Sequence, residues 1–212
     1  MNYRDFLQKI IYHLINPLIK GMLKVGITPN LVTAIGFIGN CVAAGFFLYA
    51  ASHVGDKPWI ALGWGGVIIL VAGLFDMMDG RLARMGNMSS TFGALWDSTL
   101  DRYSELVTLF AIVLFFIHAG WFWMGVTTFI AMIGSVMVSY VRARAEGLQI
   151  ECKVGIMQRP ERVVLTAIGA IIAGCAGNTW WLAGAMIIIA VLANFTAFWR
   201  IAHCYKVLKR RE

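Results

Sequence analysis

Four aspartates stand at regular spacings in two neighbouring apolar stretches, Asp76 and Asp79 in one and Asp97 and Asp101 in the next. Separations of three and four residues put each pair on one face of a helix. Two antiparallel helices joined by a short loop would turn all four carboxylates inward, forming a cage of hard oxygen ligands. An aspartate at the centre of a membrane helix costs about 2.5–3.5 kcal/mol on insertion scales and usually faces a cavity. Four such groups also repel one another. Divalent cations relieve both costs, and oxygen-only ligation suits Mg2+, Mn2+ or Ca2+ rather than zinc. Four carboxylates are enough for two ions. The competing reading is four solvated helix ends in interfacial water. Gly80 and Gly93 sit where the helices would approach the ions, and a missing side chain leaves room there for a ligand. Arg84, one turn past Gly80, can reach a phosphate bound by the same ions; its simpler role is a membrane-surface anchor. Metals beside an arginine describe a site for a diphosphate.

The elements that must position these residues follow from composition. The chain has 212 residues, 59% of them hydrophobic and 14% charged, against about 45–50% and about 25% in an average soluble domain. Its mean hydropathy is +0.73. A water-soluble globule is excluded. The net charge of +7 raises nucleic acid as a partner, but that requires a basic face on a soluble module, so none is expected. With about 20 apolar residues per crossing, spans are expected at 31–51, 59–79, 94–117, 120–141, 160–177 and 179–201. The predicted fold is an all-α integral membrane protein of six transmembrane helices, with its core at 31–201, in a single membrane domain covering 1–212.

An interfacial amphipathic helix is predicted over 1–25. Phe6, Leu7, Ile10, Ile11, Leu14, Ile15, Leu18, Ile19, Met22 and Leu23 form a stripe of helical period, with Arg4, Asp5, Lys9 and Lys20 elsewhere. Charges within the stripe and the break at Pro17 argue against a signal peptide. Gly26 and Thr28-Pro29-Asn30 then end this helix. Six spans put both termini on one side, where 17 of the 18 Lys and Arg also fall; only Lys57 lies opposite. By the positive-inside rule that side is cytoplasmic, and the aspartates share it. Cys41, Cys152, Cys175 and Cys204 lack metal-ligand spacing and read as reduced packing residues. His13, His53, His118 and His203 are dispersed and receive no chemical role. Gly36, Gly39, Ala170 and Gly174 are expected to let helices pack closely.

From Asp76 the chain reads Asp76-Met-Met-Asp79-Gly80-Arg-Leu-Ala83-Arg84, then after eight residues Gly93, with Asp97 and Asp101 at successive fourth positions. These eight specified positions resemble the DxxDGxxAR…GxxxDxxxD signature of CDP-alcohol phosphotransferases. The resemblance implies a six-helix membrane enzyme, commonly a homodimer, of the plasma membrane with a cytoplasmic site. It also implies transfer of a phosphatidyl group from CDP-diacylglycerol to an alcohol, with release of CMP. Carried over by position, Asp76, Asp79 and Asp97 resemble metal ligands. Asp101 resembles a ligand to the second ion and the general base. Gly80, Arg84 and Ser90 would line the CDP-diacylglycerol site, and Pro29, Asn30, Leu31, Val32 and Thr33 resemble the stretch that helps hold the donor nucleotide. The cofactor implied is a pair of Mg2+ or Mn2+ ions.

A second cluster lies between the fourth and fifth spans: Arg142 and Arg144, then Lys153, then Arg159 and Arg162. Positive-inside anchoring is its plain reading. Arg159 and Arg162, however, share a face at i,i+3, and guanidiniums from both helix ends can converge on a phosphate-bearing acceptor. The stretch resembles the RARAE…ERxER pattern of the branch that makes phosphatidylinositol phosphate from inositol phosphate, with Gln158 in place of the expected acid. Glycerol 3-phosphate is the alternative acceptor. A transporter is the alternative of a different class, but it predicts acids at mid-span. Here they crowd one end, and Val107 to Phe116 is apolar.

Overall fold

The computed structural model describes residues 15–211. Every regular element among them is helical: α1 over 15–25, then α2 (Pro29–Ser52), α3 (Trp59–Met85), α4 (Thr91–His118), α5 (Phe122–Gly147), α6 (Arg159–Ala176) and α7 (Trp180–Leu208). The helix breaks follow local chemistry. Gly26, at φ +78°, ends α1. Pro29 opens α2, where its missing N–H costs nothing, and the Thr28 carbonyl accepts from the amides of Leu31 and Val32. The Ser90 hydroxyl accepts from the Gly93 amide at 2.9 Å and so caps α4. Gly177, left-handed at φ 60°, caps the end of α6.

The chain is a membrane protein by the length and apolarity of its helices; among the described residues four, α2, α3, α5 and α7, are long and apolar enough to cross a bilayer. α4 and α6 coincide with expected spans but miss that standard. The reason is chemical: Asp97, Asp101, Arg102 and Glu105 interrupt α4, and Arg159, Glu161 and Arg162 crowd the start of α6. The helices also run past their expected ends. α3 continues to Met85, so Asp76, Asp79, Gly80 and Arg84 share one helix, and α5 continues to Gly147, carrying Arg142 and Arg144.

The described residues group into two compact units, with α2, α3 and α4 contributing to both. The first unit comprises residues up to Gly39 and Val71–Tyr103. In it Ile15 and Ile19 of α1 are buried with Val32, Met78 and Leu82, flanked by Met22 and Leu23. Leu18 of the apolar stripe expected over 1–25 faces outward; Phe6, Leu7, Ile10, Ile11 and Leu14 lie outside the described residues. Gly36 and Gly39 admit α3 closely, since a side-chain carbon at Gly39 would lie 3.2 Å from Ala72 Cβ. The second unit comprises Asn40–Leu70 and the chain from Ser104 onward. Its core joins Phe47, Leu62, Ile112, Phe115, Phe116, Leu182, Met186 and Ile189 with many alanines. α3 and α6 touch backbone to backbone at Gly63 and Gly174, and Ala170 is fully buried, as expected of small residues at helix crossings. All four cysteines are free thiols. Burial pushes the Cys152 thiol above its ordinary range, so it packs rather than reacts.

Candidate active site

Within the first unit, α3 and α4 bring Asp76, Asp97 and Asp101 together. One carboxylate oxygen from each lies within 4.8 Å of the others, and all three residues are half-buried. Oxygen ligands of Mg2+ or Ca2+ stand at about 2.0–2.6 Å from the ion, so two ligands of one ion are separated by at most about 5 Å. The three aspartates therefore fit a divalent cation. Asp79 is held differently. It is 4% exposed, its Oδ2 accepts from the Thr33 hydroxyl at 2.6 Å, and its Oδ1 accepts from the Gly80 amide. Thr33 Oγ1 also lies 3.1 Å from the Pro29 carbonyl oxygen, which anchors it on the first turn of α2. An ionised carboxylate has about four lone-pair sites, so these two bonds leave Asp79 able to ligate.

The residues expected at the donor site divide into neighbours and non-neighbours. Asn30, Ser90 and Gly93 converge: a side-chain carbon at Gly93 would lie 3.0 Å from Ser90 Oγ and 3.2 Å from Asn30 Oδ1, so only glycine fits without a shift. Arg84 folds back over Gly80, and its guanidinium nitrogens would stand 3.7 and 3.8 Å from a side-chain carbon placed there. Leu31 is half exposed, whereas Val32 is fully buried against α1 and α3, leaving only its backbone to a ligand. No sequence pattern pointed to Trp96, whose indole N–H donates to the Asn30 carbonyl at 3.3 Å and ties the start of α2 to α4.

Thr33 thus has a measurable structural role. Thr33→Val is expected to leave a buried carboxyl oxygen without its hydrogen-bond donor, at a cost of about 1–3 kcal/mol, and to lower the Tm in detergent, while Thr33→Ser keeps it. Equal melting of the Val variant and the wild type would show that the bond contributes nothing.

In the second unit the basic residues have unequal surroundings. Arg142 and Arg144 are exposed at the end of α5, and Arg142 pairs with Glu146 at 2.9 Å. Arg159 is half-buried at the start of α6. Arg162 is 1% exposed. Its Nε and Nη2 meet the two Glu105 oxygens at 2.6 and 2.8 Å, and its Nη1 donates to the Met157 carbonyl at 3.1 Å. Most of its donors are thus committed inside the protein, and Arg162 is a strut rather than an open ligand. Arg200, one of the 17 cations that the sequence places on one side, is 2% exposed. It donates to the carbonyls of Val138 at 2.6 Å and Val154 at 2.9 Å, with Arg142 and Arg162 near enough for their charges to act on it. The signal for Arg200 was a lone cation near the end of a long apolar run, and such residues seldom face lipid.

Residues 26–203 match the model of the CDP-alcohol phosphatidyltransferase family. The chain is 36% identical over 188 residues to a phosphatidylinositol phosphate synthase of Mycobacteroides abscessus, covering 88% of this chain and 81% of that protein. It is 34% identical over 186 residues to an archaetidylinositol phosphate synthase of Methanothermobacter thermautotrophicus, covering 88% and 87%. Among solved structures it is similar to Mycobacterium tuberculosis phosphatidylinositol phosphate synthase with CDP-DAG bound, at a TM-score of 0.80, 27% identity and coverage of 91% and 94%. The same enzyme in complex with manganese and citrate gives a TM-score of 0.79 at 28% identity, covering 89% and 88%. A match over most of the length, joined to clustered carboxylates at the expected positions, places this chain in the CDP-alcohol phosphatidyltransferase family of enzymes.

Proposed function

We infer that the chain transfers the phosphatidyl group of CDP-diacylglycerol to inositol phosphate, giving phosphatidylinositol phosphate and CMP. The observation that carries this reading is the convergence of Asp76, Asp97 and Asp101 in a chain of this family. The acceptor follows from the relatives: those cited differ in the lipid they name, phosphatidyl or archaetidyl, but agree on inositol phosphate.

Asp76, Asp79, Asp97 and Asp101 would hold two divalent cations, Mg2+ or Mn2+. The manganese in a similar structure supports the metal class. When bound, such ions neutralise the diphosphate and stabilise charge that develops on its oxygens. Thr33 and Gly80 N–H brace Asp79 for that task. Arg84 donates to the diphosphate, with Gly80 leaving room beside it, and Asn30, Ser90 and the α2 start hold the nucleotide. Asp101 accepts the proton of the acceptor hydroxyl as that oxygen bonds to the lipid-bearing phosphorus. The bond from this phosphorus to the oxygen of CMP breaks, and CMP leaves. Arg142, Arg144 and Arg159 bind the acceptor phosphate, and Arg162 braces the start of α6 from within.

The membrane arrangement belongs to the same proposal. α4 and α6 join the four apolar helices to make six spans, and α1 lies in the interface. The distribution of Lys and Arg supports a cytoplasmic site with both termini on that side, and the membrane proposed is the plasma membrane. The chain is read as a single membrane domain over 1–212, and the enzyme works as a homodimer.

The test is CMP release by the purified chain with CDP-diacylglycerol and Mg2+, offered inositol phosphate, free inositol or glycerol 3-phosphate. Inositol phosphate is expected to be the substrate. Arg142→Gln is expected to raise its KM roughly ten- to a hundred-fold, the value of a charge-assisted hydrogen bond, with the donor KM unchanged. Preference for free inositol would overturn the phosphate pocket; preference for glycerol 3-phosphate would overturn only the choice of acceptor.

A further inference from the structure

The connection from α5 to α6, residues 148–158, has no helix or strand, yet it is fastened along its length to α7 and the turn that follows it. The Met157 amide donates to Thr196 Oγ1 at 3.3 Å. Arg200 Nε donates to the Val154 carbonyl at 2.9 Å. His203 Nε2 lies 3.1 Å from the Glu151 carbonyl oxygen, and Arg211 donates to the carbonyls of Leu148 and Gln149 at 3.2 and 2.8 Å. Ile150 and Cys152 pack with Cys204 and Val207 between these polar contacts. Positions 196, 200, 203, 204 and 207 of α7 each lie three or four residues from another of the set, so they form one helical face, and 211 continues it in the turn beyond. The connection meets that face in reverse order, from 157 down to 148, and therefore runs antiparallel to it.

Two further features fit this fastening. Gly155 has a φ of +119°, and a side-chain carbon there would collide with Thr196 Cγ2, so only glycine allows this close approach. Arg162 holds the Met157 carbonyl from the α6 side. Arg200 Nη1 also reaches the Val138 carbonyl, one turn before Arg142 on α5. Ordering a backbone has an entropic cost that grows with every residue fixed, and here that cost is met in the folded protein before any ligand binds. Such pre-organisation raises affinity for a ligand bound by the residues so fixed. Those residues flank the connection on both sides: Arg142 and Arg144 before it, Arg159 after it.

We propose that this face of α7 is a clamp that locks the α5–α6 connection in one conformation, with Thr196, His203 and Gly155 as positioning residues for the acceptor phosphate. The proposal rests on the reading that Arg142, Arg144 and Arg159 bind that phosphate. None of the three positioning residues touches substrate. They act through the arginines whose spacing they fix.

The experiment uses the full chain in detergent, as wild type, Thr196→Val, Thr196→Ser, His203→Ala, Gly155→Ala and Arg142→Gln. Hydrogen exchange of amides 148–158 is measured beside the separate KM values for inositol phosphate and CDP-diacylglycerol. Thr196→Val, His203→Ala and Gly155→Ala are expected to speed exchange in 148–158 about tenfold, as local opening becomes easier. The same three should raise the acceptor KM about tenfold while kcat and the donor KM stay within about twofold. Thr196→Ser, which keeps the hydroxyl, is expected to match the wild type. Should Gly155→Ala not fold, the other two carry the test. Unchanged exchange in the variants means there is no clamp. Faster exchange with an unchanged acceptor KM overturns the positioning role, provided Arg142→Gln raises that KM. If Arg142→Gln leaves it unchanged too, the acceptor reading itself has failed, and the proposal falls with it.

Discussion

Asp97→Asn is expected to abolish CMP release and to weaken Mn2+ binding, read as free ion by electron paramagnetic resonance, by about a hundredfold or more. The substitution preserves shape, so the fold survives, but it removes one negative charge from a cluster whose oxygens lie within 4.8 Å of one another. Asp76→Asn should behave alike. Asp101→Asn separates two roles: an amide cannot accept the hydroxyl proton at neutral pH, and loss of a general base costs about 10²- to 10⁴-fold in rate. CDP-diacylglycerol should still bind to that variant. Turnover by Asp101→Asn near the wild-type rate would refute the base assignment, and full activity of the wild type in excess EDTA would refute the metal site altogether.

Arg162→Met carries the largest expected effect on stability. The Arg162–Glu105 pair is bidentate, with side chains 1% and 9% exposed. Removing one partner of a buried pair leaves the other charge uncompensated, at a cost of about 3–5 kcal/mol. For a chain of about 200 residues each kcal/mol moves Tm by about 2–4 °C, so a fall of about 6–20 °C is expected in detergent. The double variant Arg162→Met, Glu105→Leu should recover much of this, because replacing both members of a buried pair by apolar side chains is often neutral. A single variant that melts like the wild type would mean the pair is solvated and its geometry inconsequential. A double variant no more stable than the single one would place the loss in the Met157 bond instead.

Much of the candidate site was legible because its signals are local. Carboxylates three and four residues apart share a helical face wherever the helix goes, and Asp76, Asp97 and Asp101 do meet. Gly26, Pro29 and Ser90 end and start helices through their own backbone and hydroxyl chemistry. Hydropathy located α2 to α7, yet it overstated the uniformity of the spans. α4 and α6 carry charged residues in stretches expected to be apolar, and only neighbours inside the fold make those charges tolerable.

What the sequence determined by itself, then, is an all-helical chain for a lipid environment, its helix breaks, its small-residue crossings, and an eight-position motif that brings carboxylates and glycines to neighbouring helix faces. Only the tertiary structure decided which polar groups satisfy one another across long separations: Thr33 with Asp79, Arg162 with Glu105, Arg200 with Val138 and Val154, and Thr196 with Met157. No periodicity marks such pairs. Arg159 and Arg162 share a helical face and a residue type, yet one is half-buried at the start of α6 and the other is sealed against Glu105. The difference is burial. Desolvation makes an unpaired charge too costly to keep inside, so the partner is selected by packing, and packing exists only once the helices have met.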